Sequence, residues 1–128
     1  MATAKAVEII FATVLRIVDG DTLIVKLPCD LDFVCNLVEV RVLGIDTPEL
    51  HGFHCPKELE LAKKAKAMLE GVYPIGSTFA LANPHKDKYG RLLGNAPVAE
   101  KKLLEAGLAK PYKGGNKAAE GINWCSEK

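Results

Sequence analysis

The 128-residue chain has no run of 18 or more apolar residues, so no segment reads as a membrane-spanning helix. Its one long apolar stretch, Ala6 to Val18, is interrupted by Glu8 and Arg16, and no small-residue cleavage site follows. That stretch reads as a strand, and the chain as given as lacking an export signal. Cysteine is sparse, with four residues at 29, 35, 55 and 125, and no Cys-x2-Cys pair is present. That argues against a common zinc finger. Internal repeats and low-complexity tracts are also missing. Net charge is close to zero, +1 from 17 basic and 16 acidic side chains, so charge balance alone selects no partner.

What is present is enough for one folded domain over residues 1–128. Hydrophobic residues make up 48%, and at this length roughly two-thirds of the unfolded surface can be buried. The charges, though balanced, are segregated. Residues 19–60 concentrate acids: Asp19, Asp21, Asp30, Asp32, Glu39, Asp46, Glu49, Glu58 and Glu60 stand against Lys26, Arg41 and Lys57. Residues 84–117 concentrate bases: Lys86, Lys88, Arg91, Lys101, Lys102, Lys110, Lys113 and Lys117 stand against Asp87, Glu100 and Glu105. The first region can carry a cation and the second can attract phosphate. An even cysteine count permits two disulfides in three connectivities. Cys29 with Cys35 can staple a hairpin loop and Cys55 with Cys125 can pin the C-terminal tail. A Cys/His metal site at His51, His54 and Cys55, or four ordinary thiols, are the competing readings.

β-Branched runs at 9–15 and 22–27 flank an Asp19-Gly20 turn, a hairpin signal. Residues 28–37 read as a loop or widened hairpin end. Over 38–45 the pattern alternates, with Val38, Val40 and Val42 on one face and Glu39 and Arg41 on the other. Arg41 therefore leaves the core face. Residues 57–70 form the clearest helix, with Pro56 at its start, acids early and lysines late. Leu61, Ala65, Met68, Leu69 and Val72 make its apolar stripe, and Gly71 is expected at its C-terminal cap. Strands are expected at 78–82 and 92–96, with a charged turn at 85–91 between them. A second helix is expected from Pro97 to Ala106, capped by Gly107. Residues 110–117 read as loop, followed by a short tail around Trp124. Five strands and two helices predict an α+β domain, which a small barrel would close without long edges.

Three segments carry chemistry: Asp19-Gly20-Asp21-Thr22, Arg41 through Glu49, and Asp87-Lys88-Tyr89-Gly90-Arg91. A phosphodiester needs positive charge on its phosphoryl oxygens and an activated water. Asp21 and Asp46 can each give an oxygen to a hard cation, and the Thr47 carbonyl can be a third ligand. Glu49, past Pro48, can hold a water as a general base. Arg41 and Arg91 can clamp phosphate oxygens bidentately. Singly, each residue is as well explained by a turn or a surface ion pair, and Asp19 reads equally as a turn former.

Together the segments resemble the staphylococcal nuclease (thermonuclease) family from about Val14 to Trp124, with weaker similarity at Gly107-Leu108-Ala109-Lys110 and Tyr112-Lys113. The resemblance implies a five-stranded barrel of the oligonucleotide-binding (OB-fold) type with two main helices. It implies a nuclease that cleaves DNA and RNA, single-stranded or frayed, with little sequence preference. It also implies a reaction served by one Ca2+ ion that leaves 3′-phosphates. Asp21, Asp46 and Thr47 match the metal ligands, Glu49 the general base, Arg41 and Arg91 the phosphate arginines. Lys88, Tyr89 and Tyr112 match nucleotide contacts. A monomer away from membranes is expected.

The chain departs from the family in three ways: a hairpin between the fifth strand and second helix is missing, Lys110 stands where a tyrosine is common, and the third helix is reduced to a short tail. That shortening resembles a bacterial or phage subgroup, and a Cys55–Cys125 disulfide can replace the lost helix as a tether. A catalytically silent binding module on the same barrel is the alternative reading. Paired cysteines favour an oxidising, secreted or periplasmic setting; the absent leader favours a cytoplasmic one.

Overall fold

The computed structural model describes residues 8–28, 37–117 and 119–126. Strand β1 (Ile9–Asp19) is the longest strand among the described residues. The Asp19-Gly20 turn returns the chain as β2 (Thr22–Lys26), and β3 (Val38–Val42) pairs antiparallel with β2. The short β4 (Ile45–Asp46) precedes α1 (Pro56–Val72). Then come β5 (Thr78–Lys86), β6 (Leu92–Asn95), α2 (Pro97–Glu105) and β7 (Lys110–Pro111). Five strands close a barrel in the order β1-β2-β3-β6-β5. Closure depends on β1 serving two partners. Ile9 to Thr13 pair with β5, and Thr13 to Asp19 pair with β2 through two register shifts. Such irregularities bend a strand and raise its twist, which lets one strand turn a barrel corner. The expected α+β barrel class is borne out.

Alternation fills the interior. Val14, Ile17, Leu23, Val25, Val40, Val42, Leu81 and Leu92 are all buried. Gly94 faces Leu81 so closely that a Cβ would lie 2.6 Å from Leu81 Cγ; only glycine fits there. Helix α1 lays Ala62, Ala65 and Leu69 against the barrel, with Leu61, Met68 and Val72 at the margin. Gly71 lies inside this helix, not at its cap. Pro74 sets the end: a residue before proline is pushed out of helical geometry, and Tyr73 sits at φ −124°, ψ 77°. The Tyr73 ring then stacks on Phe79 with centroids 4.3 Å apart. Gly107 does end α2, with φ +73°, a conformation that costs glycine little.

Two elements exceed the sequence expectation. β5 runs past Ala82 through Asn83 and Pro84, where a register shift and a positive φ at Asn83 absorb the proline. Lys110–Pro111, expected as loop, pairs with Ile45–Asp46, and the Tyr112 N–H donates to the Gly44 carbonyl at 2.9 Å. Cys55, at the start of α1, is bonded to Cys125 across 70 residues. Cys29 and Cys35 lie outside the described residues.

Cross-linking so long a loop stabilises by up to about 4 kcal/mol. Reduction of the protein, or Cys55→Ser with Cys125→Ser, is expected to lower the unfolding free energy by about 2–4 kcal/mol and to red-shift Trp124 emission. Free-thiol titration of unreduced protein at both positions checks the premise; reactive thiols at 55 and 125 would contradict it.

Candidate functional site

The first two chemical segments meet at one end of the barrel. The turn after β1 carries Asp21, and the Val42 N–H donates to the Asp21 carbonyl at 2.8 Å, so the β2–β3 ladder continues into the turn. Gly20 permits the close approach of α1 and the Asp46–Thr47 segment. A Cβ there would lie 2.8 Å from Ala65 Cβ and 3.0 Å from Thr47 Cβ. The Thr47 N–H then reaches Asp21 Oδ2 at 3.3 Å. That bond spans 26 residues and joins the two acidic segments directly.

Both carboxylates are buried, Asp21 at 6% and Asp46 at 1% exposure. An isolated buried carboxylate is costly, so each needs a donor or a cation. Asp21 is ion-paired with Arg41, its register neighbour through Thr22 on β2, and accepts from the Thr22 hydroxyl at 3.1 Å. Burial raises its pKa from 3.8 to about 6; Arg41 opposes the rise and Asp19 adds to it. Asp46 accepts from the Trp124 indole N–H at 2.9 Å through Oδ2. Its Oδ1 faces the Lys117 ammonium at 2.8 Å. Among the described residues, the buried Thr47 hydroxyl has no hydrogen-bond partner.

Glu49 is half exposed, and its carboxylate lies 3.3 Å from Lys117 Nζ. Its backbone is held by Glu58, which sequence reading treated only as a favourable charge in the first turn of α1. Glu58 is 3% exposed and accepts from the Glu49 N–H at 3.0 Å, the His54 N–H at 2.8 Å and His54 Nδ1 at 3.0 Å. Burial would raise its pKa, but these donors outweigh burial and the net shift is downward. The 49–54 loop is thus clamped to α1 beside Glu49. Lys117 was read only as one base among eight. Burial would lower its pKa; Asp46 and Glu49 reverse the sign and hold it above the ordinary lysine range.

Arg91 makes its polar contacts with Asp87. Asp87 accepts from the Arg91 N–H at 2.9 Å, from Arg91 Nε at 2.8 Å and from the Tyr89 N–H at 2.9 Å. Desolvation pushes the Asp87 carboxyl up, but these donors prevail and its pKa falls. Arg91 precedes β6, whose Leu92 and Leu93 pair with Val40 and Arg41, so both arginines lie at the β3–β6 pairing. Tyr89 is 73% exposed, with Lys88 Nζ 5.3 Å and Arg91 Cζ 5.9 Å from its ring centroid. Arg91, Tyr89, Lys86 and Glu39 line one cleft, whereas Glu49, Lys117, Glu58 and Trp124 line another. Tyr112 donates its hydroxyl to the Gly115 carbonyl, and its ring faces Lys117 Nζ at 5.9 Å.

Among the described residues, no group of three His, Cys, Asp or Glu side chains converges as a metal cluster. The Cys/His reading at 51–55 fails on this geometry: Cys55 is in a disulfide and His54 is bonded to Glu58. The direct link between the two acidic segments is the Thr47 N–H on Asp21.

A family model described as "Staphylococcal nuclease homologue" matches residues 39–123. The endonuclease YhcR of Bacillus subtilis is 37% identical over an alignment of 87 residues, covering 62% of this chain and 7% of that protein. An uncharacterized protein of Methanocaldococcus jannaschii is 29% identical over an alignment of 128 residues, covering 80% of this chain and 59% of that protein. The chain thus spans only a small part of the first relative and somewhat over half of the second. The family match contains Arg41, Asp46, Glu49 and Arg91 and covers most of the chain, which belongs to the staphylococcal nuclease homologue family.

Proposed function

We propose that the chain is a calcium-dependent nuclease that hydrolyses DNA and RNA phosphodiesters with little sequence preference and leaves 3′-phosphates. One observation carries the reading: two buried carboxylates, Asp21 and Asp46, from segments far apart in sequence, joined through the Thr47 N–H. A barrel has no structural need for two buried acids at its mouth. Stability alone is commonly served as well by apolar residues.

The residues fit a hard divalent cation. Asp21 and Asp46 supply carboxylate oxygens, the Thr47 carbonyl a neutral one, and no soft ligand intervenes. When bound, calcium would place positive charge on the phosphoryl oxygens. Glu49, on a loop clamped by Glu58, holds and deprotonates the attacking water. Arg41, paired with Asp21 beside the would-be cation ligands, would neutralise a phosphate oxygen. Arg91, just before β6 and oriented by Asp87, supplies a second guanidinium. Tyr89, exposed beside Lys88 and Arg91, gives a base a stacking face, a sequence-tolerant contact. Tyr112 offers another from the tail.

Plasmid and single-stranded DNA should be cleaved with calcium and left intact after chelation. Glu49→Gln and Arg91→Ala should each slow cleavage by roughly 10²–10⁴-fold with unchanged circular dichroism. Undiminished cleavage by both variants refutes the assignment, and full activity with magnesium alone refutes the choice of calcium.

Asp21 gives a separate test in metal-free protein. Its folded pKa lies above its unfolded value, so its stabilising contribution is complete below about pH 4 and is lost as pH rises through about 6. Relative to Asp21→Asn, the wild type should lose roughly 2 kcal/mol of unfolding free energy between pH 4 and pH 7. Urea titrations at both pH values report this, and parallel curves contradict it.

A further inference from the structure

Lys117 joins two carboxylates that the proposed chemistry needs in different roles. Its Nζ lies 2.8 Å from Asp46 Oδ1 and 3.3 Å from Glu49 Oε1. The backbone beneath it is fixed: the Lys117 carbonyl accepts from the Ile122 N–H at 2.9 Å and from the Glu120 N–H at 3.1 Å. A few residues on, Trp124 is bonded to the other oxygen of Asp46, and Cys125 to Cys55. The tail is thus anchored on both sides of Asp46. The lysine stem crosses to the carboxylates with its side chain 40% exposed, leaving solvent on one side into which it can swing.

We propose that Lys117 is a tethered counter-cation and positioning residue. In the ligand-free protein it compensates the buried charge of Asp46 and occupies Glu49. A divalent cation must displace it to reach Asp46 Oδ1. Two positive groups cannot share that oxygen without strong repulsion, so Lys117 sets the affinity for the ion. The same displacement frees Glu49 for water. Cation binding and release of the base are therefore one event, coupled through one ammonium group. This inference rests on the divalent-cation reading above.

Trp124 is the chain's single tryptophan and touches Asp46, so its emission reports events there. Calcium is titrated into the metal-free wild type, Lys117→Met, Lys117→Arg and Asp46→Asn, followed by Trp124 fluorescence and calorimetry. Lys117→Met should bind calcium about tenfold tighter or more, Lys117→Arg should stay near wild type, and Asp46→Asn should lose binding. The melting temperature of Lys117→Met should also rise more on calcium addition than that of the wild type. Lys117→Gln gives the same comparison should the methionine variant unfold. Equal calcium affinity in wild type and Lys117→Met overturns the role of Lys117 alone. Absence of binding in every protein, or binding unaffected by Asp46→Asn, overturns the cation reading and this inference with it.

Discussion

Asp46 is a carboxylate at 1% exposure, and much of the surrounding structure is arranged to compensate it. A buried charge is tolerated only when hydrogen-bonded or paired. Here the partners arrive from the far end of the chain: an indole N–H from Trp124 and an ammonium from Lys117. Two devices bring the tail that far. The β4–β7 pairing starts it beside Asp46, and the Cys55–Cys125 bond ends it at the head of α1. Asp21 meets the same constraint locally, through Arg41 on the next strand and the Thr47 N–H. Each buried acid faces a basic side chain, Arg41 for Asp21 and Lys117 for Asp46.

That arrangement ties the segment after β7 to the barrel. The tail folds over the cleft mouth, held by one covalent bond, two backbone pairings and a buried ring. Its exposed loop, Gly114 to Asn116, lies outside those anchors. The lysine at 110, where a tyrosine is common in the family, has its ammonium 5.4 Å from the Trp124 ring. The position therefore contributes to seating the tail.

Much of this was legible in the sequence, for physical reasons. Barrel strands bury alternate residues, so Val38, Val40 and Val42 declared their face and Arg41 the opposite one. The Asp19-Gly20 turn and the α1 stripe are local patterns. Gly71 misled because glycine is a good cap but also a tolerated interior residue, and Pro74 set the boundary instead. β7 was invisible because a two-residue ladder containing proline has no periodicity. Glu58 looked like any acid in a first helical turn; only the fold shows three donors converging on it. Lys117 and Trp124 meet Asp46 across 71 and 78 residues, and no local pattern encodes such contacts. Arg91 was placed with the other site residues by motif order, whereas its side chain turns toward Asp87 and its own cleft.

The most direct test of the account is a crystal structure grown with calcium, with the ion located by its anomalous signal. The account predicts one ion held by the carboxylates of Asp21 and Asp46 and the carbonyl of Thr47, with the Lys117 ammonium withdrawn from Asp46 and Glu49. An ion bound elsewhere, or no ion at saturating calcium with Lys117 still bridging the two acids, would contradict it.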